Sequence, residues 1–351
     1  MASGAGEGIR TGADGSAGDA DIDPDEDAVD AADAVDGADA AEVEVRTGTV
    51  DAAQHGERLD RVLAALAPEF SRSHVQALLR SGHATVDGRA ATSPAARVRV
   101  GQALALSLVP PAESRAFVAE DVPLRVVHED DAVVVVDKPA GLVVHPAAGN
   151  WSGTLLNGVL ARWPANARLP RAGIVHRLDK DTSGLMVLAR TAPAHAALVR
   201  ALAAREVSRR YLAIAHGTAP AGPFTVDAPI GRDPVHRTRM AVVAGGRPAR
   251  THVDRVGTEA VDGRTASALV CALETGRTHQ IRVHLASRGL PLVADRTYGG
   301  RPALGLERQA LHAARLAFRH PSDGSPVDLA APPPPDFAAA WARVTDRPAR
   351  A

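Results

Sequence analysis

The chain of 351 residues is 45% apolar, enough to fill the cores of two domains. It has no apolar run near the ~18 residues of a membrane span, no basic stretch leading into an apolar one at its start, and one cysteine, Cys271, which excludes an internal disulfide and a cysteine-based metal cage; a cytoplasmic protein is expected. The net charge of −1 hides a division: residues 1–45 hold 14 acidic residues and one Arg, whereas the remainder holds 27 acidic and 39 basic residues, a balance of +12.

A basic body suits a polyanion such as RNA. The plainer reading is a solvated, arginine-rich surface. Arg outnumbers Lys 38 to 2, so Lys138 and Lys180 stand out as places where a compact ammonium is wanted. Aromatics make up 3%, with two tyrosines, Tyr211 and Tyr298, so rows of stacked aromatics are not expected to grip a nucleic acid. Residues 1–45 are largely Ala, Asp and Gly. They offer too little apolar surface to offset chain entropy, and a disordered acidic tail is expected there.

Residues 57–105 read as a small module. Leu59, Val62, Leu63 and Leu66 recur at helical spacing, and Pro68 ends that helix. Ser71 caps a second helix carrying Val75, Leu78 and Leu79, which Gly82 stops. Ala84 to Val86, Asp87-Gly88 and Arg89 follow as a tight hairpin. The order Arg58-Leu59-Asp60, Ser71-Arg72-Ser73, Val86-Asp87-Gly88 resembles the S4-type RNA-binding domain. That likeness implies helices whose Arg58, Arg72 and Arg80 touch RNA phosphates. Without it, the same arginines are the outer faces of an ordinary amphipathic pair.

Residues 106–118, with Pro110-Pro111, read as a linker, and residues 119–335 as the body. The body opens with a hairpin, Leu124 to Val127 and Val133 to Val136, followed by Asp137-Lys138-Pro139. Lys138 is either an RNA contact or a turn residue. The central stretch runs Ile174-Val175-His176-Arg177-Leu178-Asp179-Lys180-Asp181-Thr182-Ser183-Gly184 into Leu185 to Leu188. Its apolar ends read as two buried strands and its polar middle as a loop fixed between them, where catalytic groups are commonly held. Asp179 lies between Arg177 and Lys180, and a carboxylate held near cations stays ionised, as a nucleophile must. A salt-bridged turn is the plainer alternative.

Thr191 to Ala204 reads as a capped helix, and Val207 to Ala215 as a strand with Tyr211 at its middle. Residues 229–251, rich in Gly, Pro and Arg and including Arg237 and Arg239, read as a basic finger suited to phosphates. Glu274 to Leu285 passes from a strand end into a helix. Either Arg277 or Arg282 could reach a carboxylate from there, and spacing does not separate them. Pro332 to Pro335 mark the expected end of the ordered fold, leaving 336–351 as a C-terminal tail.

The run His176-Arg177-Leu178-Asp179-Lys180-Asp181-Thr182-Ser183-Gly184 resembles the catalytic signature of the RNA pseudouridine synthases that modify ribosomal RNA. Lys138-Pro139, Tyr211, the run Gly276 to Arg282 and Pro291 to Asp295 carry the likeness over about residues 57–335, with Ala294 where the family usually has Gly. The resemblance implies an α+β fold: a catalytic domain on a mostly antiparallel mixed β-sheet with a central cleft, preceded by the S4-type module. It implies that Asp179 is the catalytic carboxylate, that Arg282 pairs with it, that Tyr211 packs near the target base and that Arg177 takes the space the base vacates. Arg209 fills the family's Lys/Arg position before the tyrosine, and His176, Lys138, Arg277, Arg237 and Arg239 join the RNA-contacting set. The implied reaction turns uridine into pseudouridine with no cofactor and no metal. The front module and the run Val143 to Asn150 are most like the D-type large-subunit branch. That implies uridines of the helix 69 loop in 23S ribosomal RNA, met in a ribosome precursor by a monomer.

Three rival readings exist. A metal hydrolase would use His279 and His284 with His176 or His312, but a spacing of five suits no single helix face and no His-Glu-x-x-His run exists. A non-catalytic RNA-binding ribosome-assembly factor fits the basic module and leaves Asp179 and Tyr211 unexplained. A glycosidase-like carboxylate pair would need Asp181, which shares a turn with Asp179.

Overall fold

The structure is a computed structural model that describes residues 44–109, 112–147, 149–236, 239–261 and 263–351. These divide into two compact units, residues 44–120 with 146–152, and residues 121–145 with 153–351.

In the first unit, β1 (Glu44–Thr49) precedes helices α1 (Leu59–Leu66) and α2 (Arg72–Arg80). β2 (Ala84–Val86), β3 (Arg89–Ala90) and β4 (Ala103–Leu108) follow. The sheet order is β1-β4-β2-β3. The helical apolar periodicity supplies its core, where Leu59, Leu63, Val75 and Leu79 meet Leu104 and Leu106. Ser71 caps α2 by accepting the His74 N–H. Asp87 and Gly88 both take positive φ, 51° and 76°, as a two-residue hairpin turn requires. Two expected boundaries need correction. Glu44 and Val45, assigned to the tail by composition, pair with Leu108 and Ser107, so β1 reaches into the tail and β4 into the linker. Strand pairing across some sixty residues is invisible to a composition count.

The second unit holds β5 (Arg125–Glu129), β6 (Val133–Lys138), α3 (Leu155–Arg162), β7 (Ser183–Ala189), α4 (Ala192–Ala203) and β8 (Ser208–His216). β9 (Phe224–Asp227), β10 (Ile230–Arg232), β11 (Met240–Val242), β12 (Arg250–Val261) and β13 (Arg264–Leu273) come next. α5 (Gln280–Ser287), β14 (Leu311–Arg319), β15 (Pro326–Ala330) and α6 (Pro335–Ala342) complete it. The strand order is β5-β6-β7-β14-β8-β13-β12-β9, with β15 added to β14 and β10–β11 a separate hairpin. β7 and β14 run parallel, whereas the other neighbours among the described residues are antiparallel, which makes a mixed, mostly antiparallel sheet.

Both faces are covered, which is why β6 and β7 read as continuous apolar runs rather than alternating ones. On one face Val134, Val136, Tyr211 and Ala213 meet Leu155 and Val159 of α3 and Ile281 and Leu285 of α5. On the other, Leu212 and Ile214 meet Phe337 and Trp341 of α6, and Val133 and Val135 meet Leu198 of α4. Gly184 sits where β7 joins β14. Its φ is +116°, and a Cβ there would collide with the Ala313 carbonyl oxygen, so the parallel pairing needs glycine at the end of the central motif.

Two further expectations are corrected. Ile174 does not end a strand. It makes a single bridge to Leu188, because Arg171 and Ala172 both take left-handed φ and swing the chain across the sheet. The fold does not end at Pro335 either, and residues 336–351 are not a tail. Phe337 and Trp341 are 0% and 2% exposed, since the sheet face carrying Leu212 and Ile214 needs an apolar cover. No helix among the described residues is long and apolar enough to cross a membrane. Trp341→Ala should cost roughly 3–5 kcal/mol, the range for large-to-small changes in a packed core. Denaturant unfolding measures this, and a loss below ~1 kcal/mol would mean that α6 is not integral to the core.

Candidate active site

Asp179 lies in the turn that leads into β7, and its backbone carbonyl accepts from the Thr182 N–H at 3.1 Å. The turn is pinned from several segments. The Gly141 N–H donates to the Lys180 carbonyl at 2.9 Å, and Arg308 Nη1 to the Asp181 carbonyl at 3.2 Å. The Lys138 ammonium, 1% exposed, donates to the carbonyls of Pro139, Leu142 and Lys180, each at 2.9 Å. Of the two readings of Lys138, an RNA contact or a turn residue, the structure supports the second and removes it from the RNA-contacting set. Three carbonyls in three directions use every proton of the ammonium, which joins the end of β6 to the Asp179 turn. Burial pushes the Lys138 ammonium down to about 7.

Arg282, near the start of α5, is the residue that reaches Asp179. Its Nη1 donates to Asp179 Oδ2 at 2.9 Å, while Nε and Nη2 donate to Asp295 Oδ2 and Oδ1 at 2.8 and 3.0 Å. Burial opposes ionisation of Asp179, but the charges of His279 and Arg282 outweigh it and hold the carboxyl below its usual range. Burial likewise opposes the charge of Arg282, and its bonds to Asp295 and the charge of Asp179 more than restore it. His279 Nε2 lies 3.9 Å from Asp179 Oδ1. Tyr298 accepts the Met240 N–H at 3.1 Å and stands 2.7 Å from His279 Nδ1. That contact holds the ring with its Nε2 toward Asp179. His279 also carries a left-handed φ of 56° at the N-terminus of α5, a conformation that places backbone strain beside the carboxylate.

His176, Arg177, Asp179, Arg209, Tyr211 and Arg282 line one pocket. Arg209 and Tyr211 share a face of β8 and are 8% and 5% exposed. Burial, then the Arg209 charge, pushes His176 down to about 3, and its Nε2 accepts the Val187 N–H, so it is neutral and held in place. Arg177 is exposed at the pocket. Arg277 also lines it, but its Nε donates to the Pro248 carbonyl at 3.1 Å rather than to a carboxylate. Arg239 lies at the base of β11 with its carbonyl accepting the Asp233 N–H, and Arg237 lies outside the described residues.

In the other unit, Asp60 is fully buried, and Arg58, Arg72 and Gln76 all donate to it. Those bonds hold two arginine side chains in place with 40% and 51% of their surface exposed. Arg80 donates to Gln76 Oε1 at 3.4 Å and is exposed. The histidines of the metal reading are spent separately. His284 bonds Thr251 and the Ala228 carbonyl, and His312 bonds Ser183 and the Ala331 carbonyl. Asp295 is the functional residue that sequence reasoning passed over. A carboxylate after Pro291 to Ala294 looks like one more motif position, and only the fold shows it clamping Arg282.

Lys138→Met should destabilise the second unit by roughly 1–3 kcal/mol, because carbonyls lose their donor. The folded chain gives up the Lys138 proton near pH 7 and the unfolded chain near 10.5, so the burial penalty is full below 7 and is relieved as pH rises through that window. The stability difference between wild type and Lys138→Met should therefore widen in favour of wild type from pH 6.5 to pH 9. Denaturant titrations at the two pH values check it, and a difference independent of pH would refute the shift.

Residues 132–287 match the RNA pseudouridylate synthase family, and residues 57–104 match the S4 domain. The chain is 48% identical over 311 residues to ribosomal large subunit pseudouridine synthase D of Neisseria meningitidis serogroup B, covering 85% of this chain and 81% of that one. It is 46% identical over 323 residues to the protein of that name from Xanthomonas campestris pv. campestris, covering 88% and 95%. Among solved structures, human RNA pseudouridylate synthase domain containing 1 aligns with a TM-score of 0.51 and 27% identity, over 64% of this chain and 89% of that one. Identity at this level over most of both chains, together with the two domain matches, shows that the chain belongs to the RNA pseudouridine synthase family of isomerases and carries an S4 domain.

Proposed function

We propose that this enzyme isomerises uridines of large-subunit (23S) ribosomal RNA, in the helix 69 loop, with Asp179 as its catalytic group and without a cofactor. It works as a monomer in the cytoplasm on a ribosome precursor. One observation carries the catalytic assignment: an ionised Asp179 carboxylate, aimed by Arg282, facing a pocket shared with Tyr211 and Arg177. The large-subunit target is supported by the names of the relatives and by a basic S4 unit whose Arg58 and Arg72 are presented to solvent.

The target uridine must leave its stack, at a cost of a few kcal/mol. Arg177, exposed at the pocket, fills the vacated place. The bond from C1′ to N1 then breaks, the base turns, and C5 bonds to C1′. Asp179 acts on the ribose, either by adding to C1′ or by removing the C2′ proton. Tyr211 supports the base, with burial pushing its phenol up, or takes the C2′ proton in place of Asp179.

Asp179→Asn should abolish turnover while RNA affinity stays nearly unchanged, because phosphate contacts supply most of the affinity. Residual conversion by this variant would remove Asp179 from the mechanism. Chemical mapping of pseudouridine in ribosomal RNA, from cells lacking the gene and from cells with it restored, tests the target. Loss confined to the helix 69 loop, restored by wild type and not by Asp179→Asn, is the expected result. An unchanged map of the large subunit would overturn the assignment.

A further inference from the structure

We propose that Arg209 is the electrostatic receptor for the uracil base during the interval in which it is detached from ribose. The inference rests on the proposed reaction in the Asp179 pocket and deepens it. Two guanidinium groups are buried in that pocket, and they differ in one respect. Arg282 is committed, with bonds to both Asp179 and Asp295. Arg209 is not. It is 8% exposed, and its Nε is buried without a hydrogen-bond partner. Among the described residues no carboxylate pairs with it. Its charged neighbourhood consists of Tyr211, a phenol, and His176, which is neutral.

The fold makes room for this cation rather than for a partner. Gly276 faces it, and a Cβ on Gly276 would stand 2.6 Å from Arg209 Nη1. An uncompensated buried charge is costly and needs a reason. Burial accordingly pulls its guanidinium below the ordinary range.

The reaction supplies the missing anion. When the bond from C1′ to N1 breaks, its electron pair leaves with N1, and the base carries one negative charge spread over N1, O2 and O4. Asp179 compensates the ribose by bonding to C1′ or by taking the C2′ proton. After the base turns, C5 bonds to C1′ as Asp179 is expelled from C1′ or, on the other route, returns its proton to C2′; the C5 proton is then lost and N1 is protonated, so the net change is isomerisation. Before the first step and after the last the base is neutral. A charge fixed beside it therefore binds the detached base better than substrate or product, which is the condition for lowering the barrier. A backbone phosphate is the other anion that could answer Arg209. The depth of Arg209, 8% exposed, favours the base, since a backbone phosphate stays at the surface of the pocket.

The experiment compares Arg209→Met and Arg209→Lys with wild type in single turnover, on an RNA that the wild type converts. The target position carries uridine or 5-fluorouridine, whose base is the better leaving group, and cleavage of the bond from C1′ to N1 is read as loss of the starting nucleoside. Arg209→Met should lose ~10²–10³-fold on uridine, the cost of removing one preorganised stabiliser of developing negative charge. It should lose at least roughly tenfold less on 5-fluorouridine, with Arg209→Lys between the two. RNA affinity and its salt slope should stay unchanged, and thermal stability should not fall, because the change removes an unpaired buried charge. Equal losses on both bases would overturn the proposal, as would a loss of affinity with a shallower salt slope, the mark of a phosphate contact. If Arg209→Met does not fold, Arg209→Lys carries the same comparison. A wild type inactive on every RNA would instead defeat the proposed function, a result distinguishable from any of these.

Discussion

One guanidinium shared between two carboxylates sets the chemistry of the pocket. Asp295, 1% exposed, receives a hydrogen bond on each oxygen from Arg282 and is fully spent in holding it. Asp179 receives one, on Oδ2. Its Oδ1 faces the pocket with His279 at 3.9 Å. The same cation thus makes one acid structural and leaves the other half engaged, ionised and directional. A fork of fixed geometry can do this, and a flexible ammonium could not.

Much of the site could be read in the sequence, and the parts that could not have a common cause. Asp179, Tyr211 and Arg282 carry their signal locally, in a loop between apolar runs, in a strand and at a helix start. The choice between Arg277 and Arg282 was not local. It turns on Asp295, thirteen residues beyond Arg282, which draws Arg282 into the core. The two readings of Lys138 stay open in the sequence for a similar reason: a lysine in a turn looks available, yet its partners include a carbonyl forty-two residues away. In the fold, alternation and helical periodicity gave the elements of the S4 unit and most of the body. The strand status of Glu44 and the burial of Trp341 depend on partners distant in sequence. Proline-rich composition before α6 looked like an ending because Pro at the first positions of a helix and Pro in a tail are alike without the helix they precede.

The two lysines of an otherwise arginine-only basic set show how composition and geometry interact. Three carbonyls converge on Lys138 Nζ from Pro139, Leu142 and Lys180. Arg308 supports the next peptide of the turn from another side, and it is itself held by a bidentate pair with Asp336 of α6. The Asp179 turn is therefore braced by β6, by the segment before β14 and, through Arg308, by α6.

The position of β14 has a consequence for biosynthesis. It lies between β7 and β8, so strand pairing divides the large sheet into β5-β6-β7 on one side and β8-β13-β12-β9 on the other. Asp179 precedes β7, whereas Tyr211 lies on β8 and Arg282 follows β13, so the strand that joins the two halves also brings the acid to its cation. That strand is Leu311–Arg319, made after both halves, and helix α6 is made later still. Because non-local pairing must wait for its most distant partner, the nascent chain carries both halves of the candidate site before the site itself exists. Competence to act on ribosomal RNA therefore waits for β14 to join the two halves.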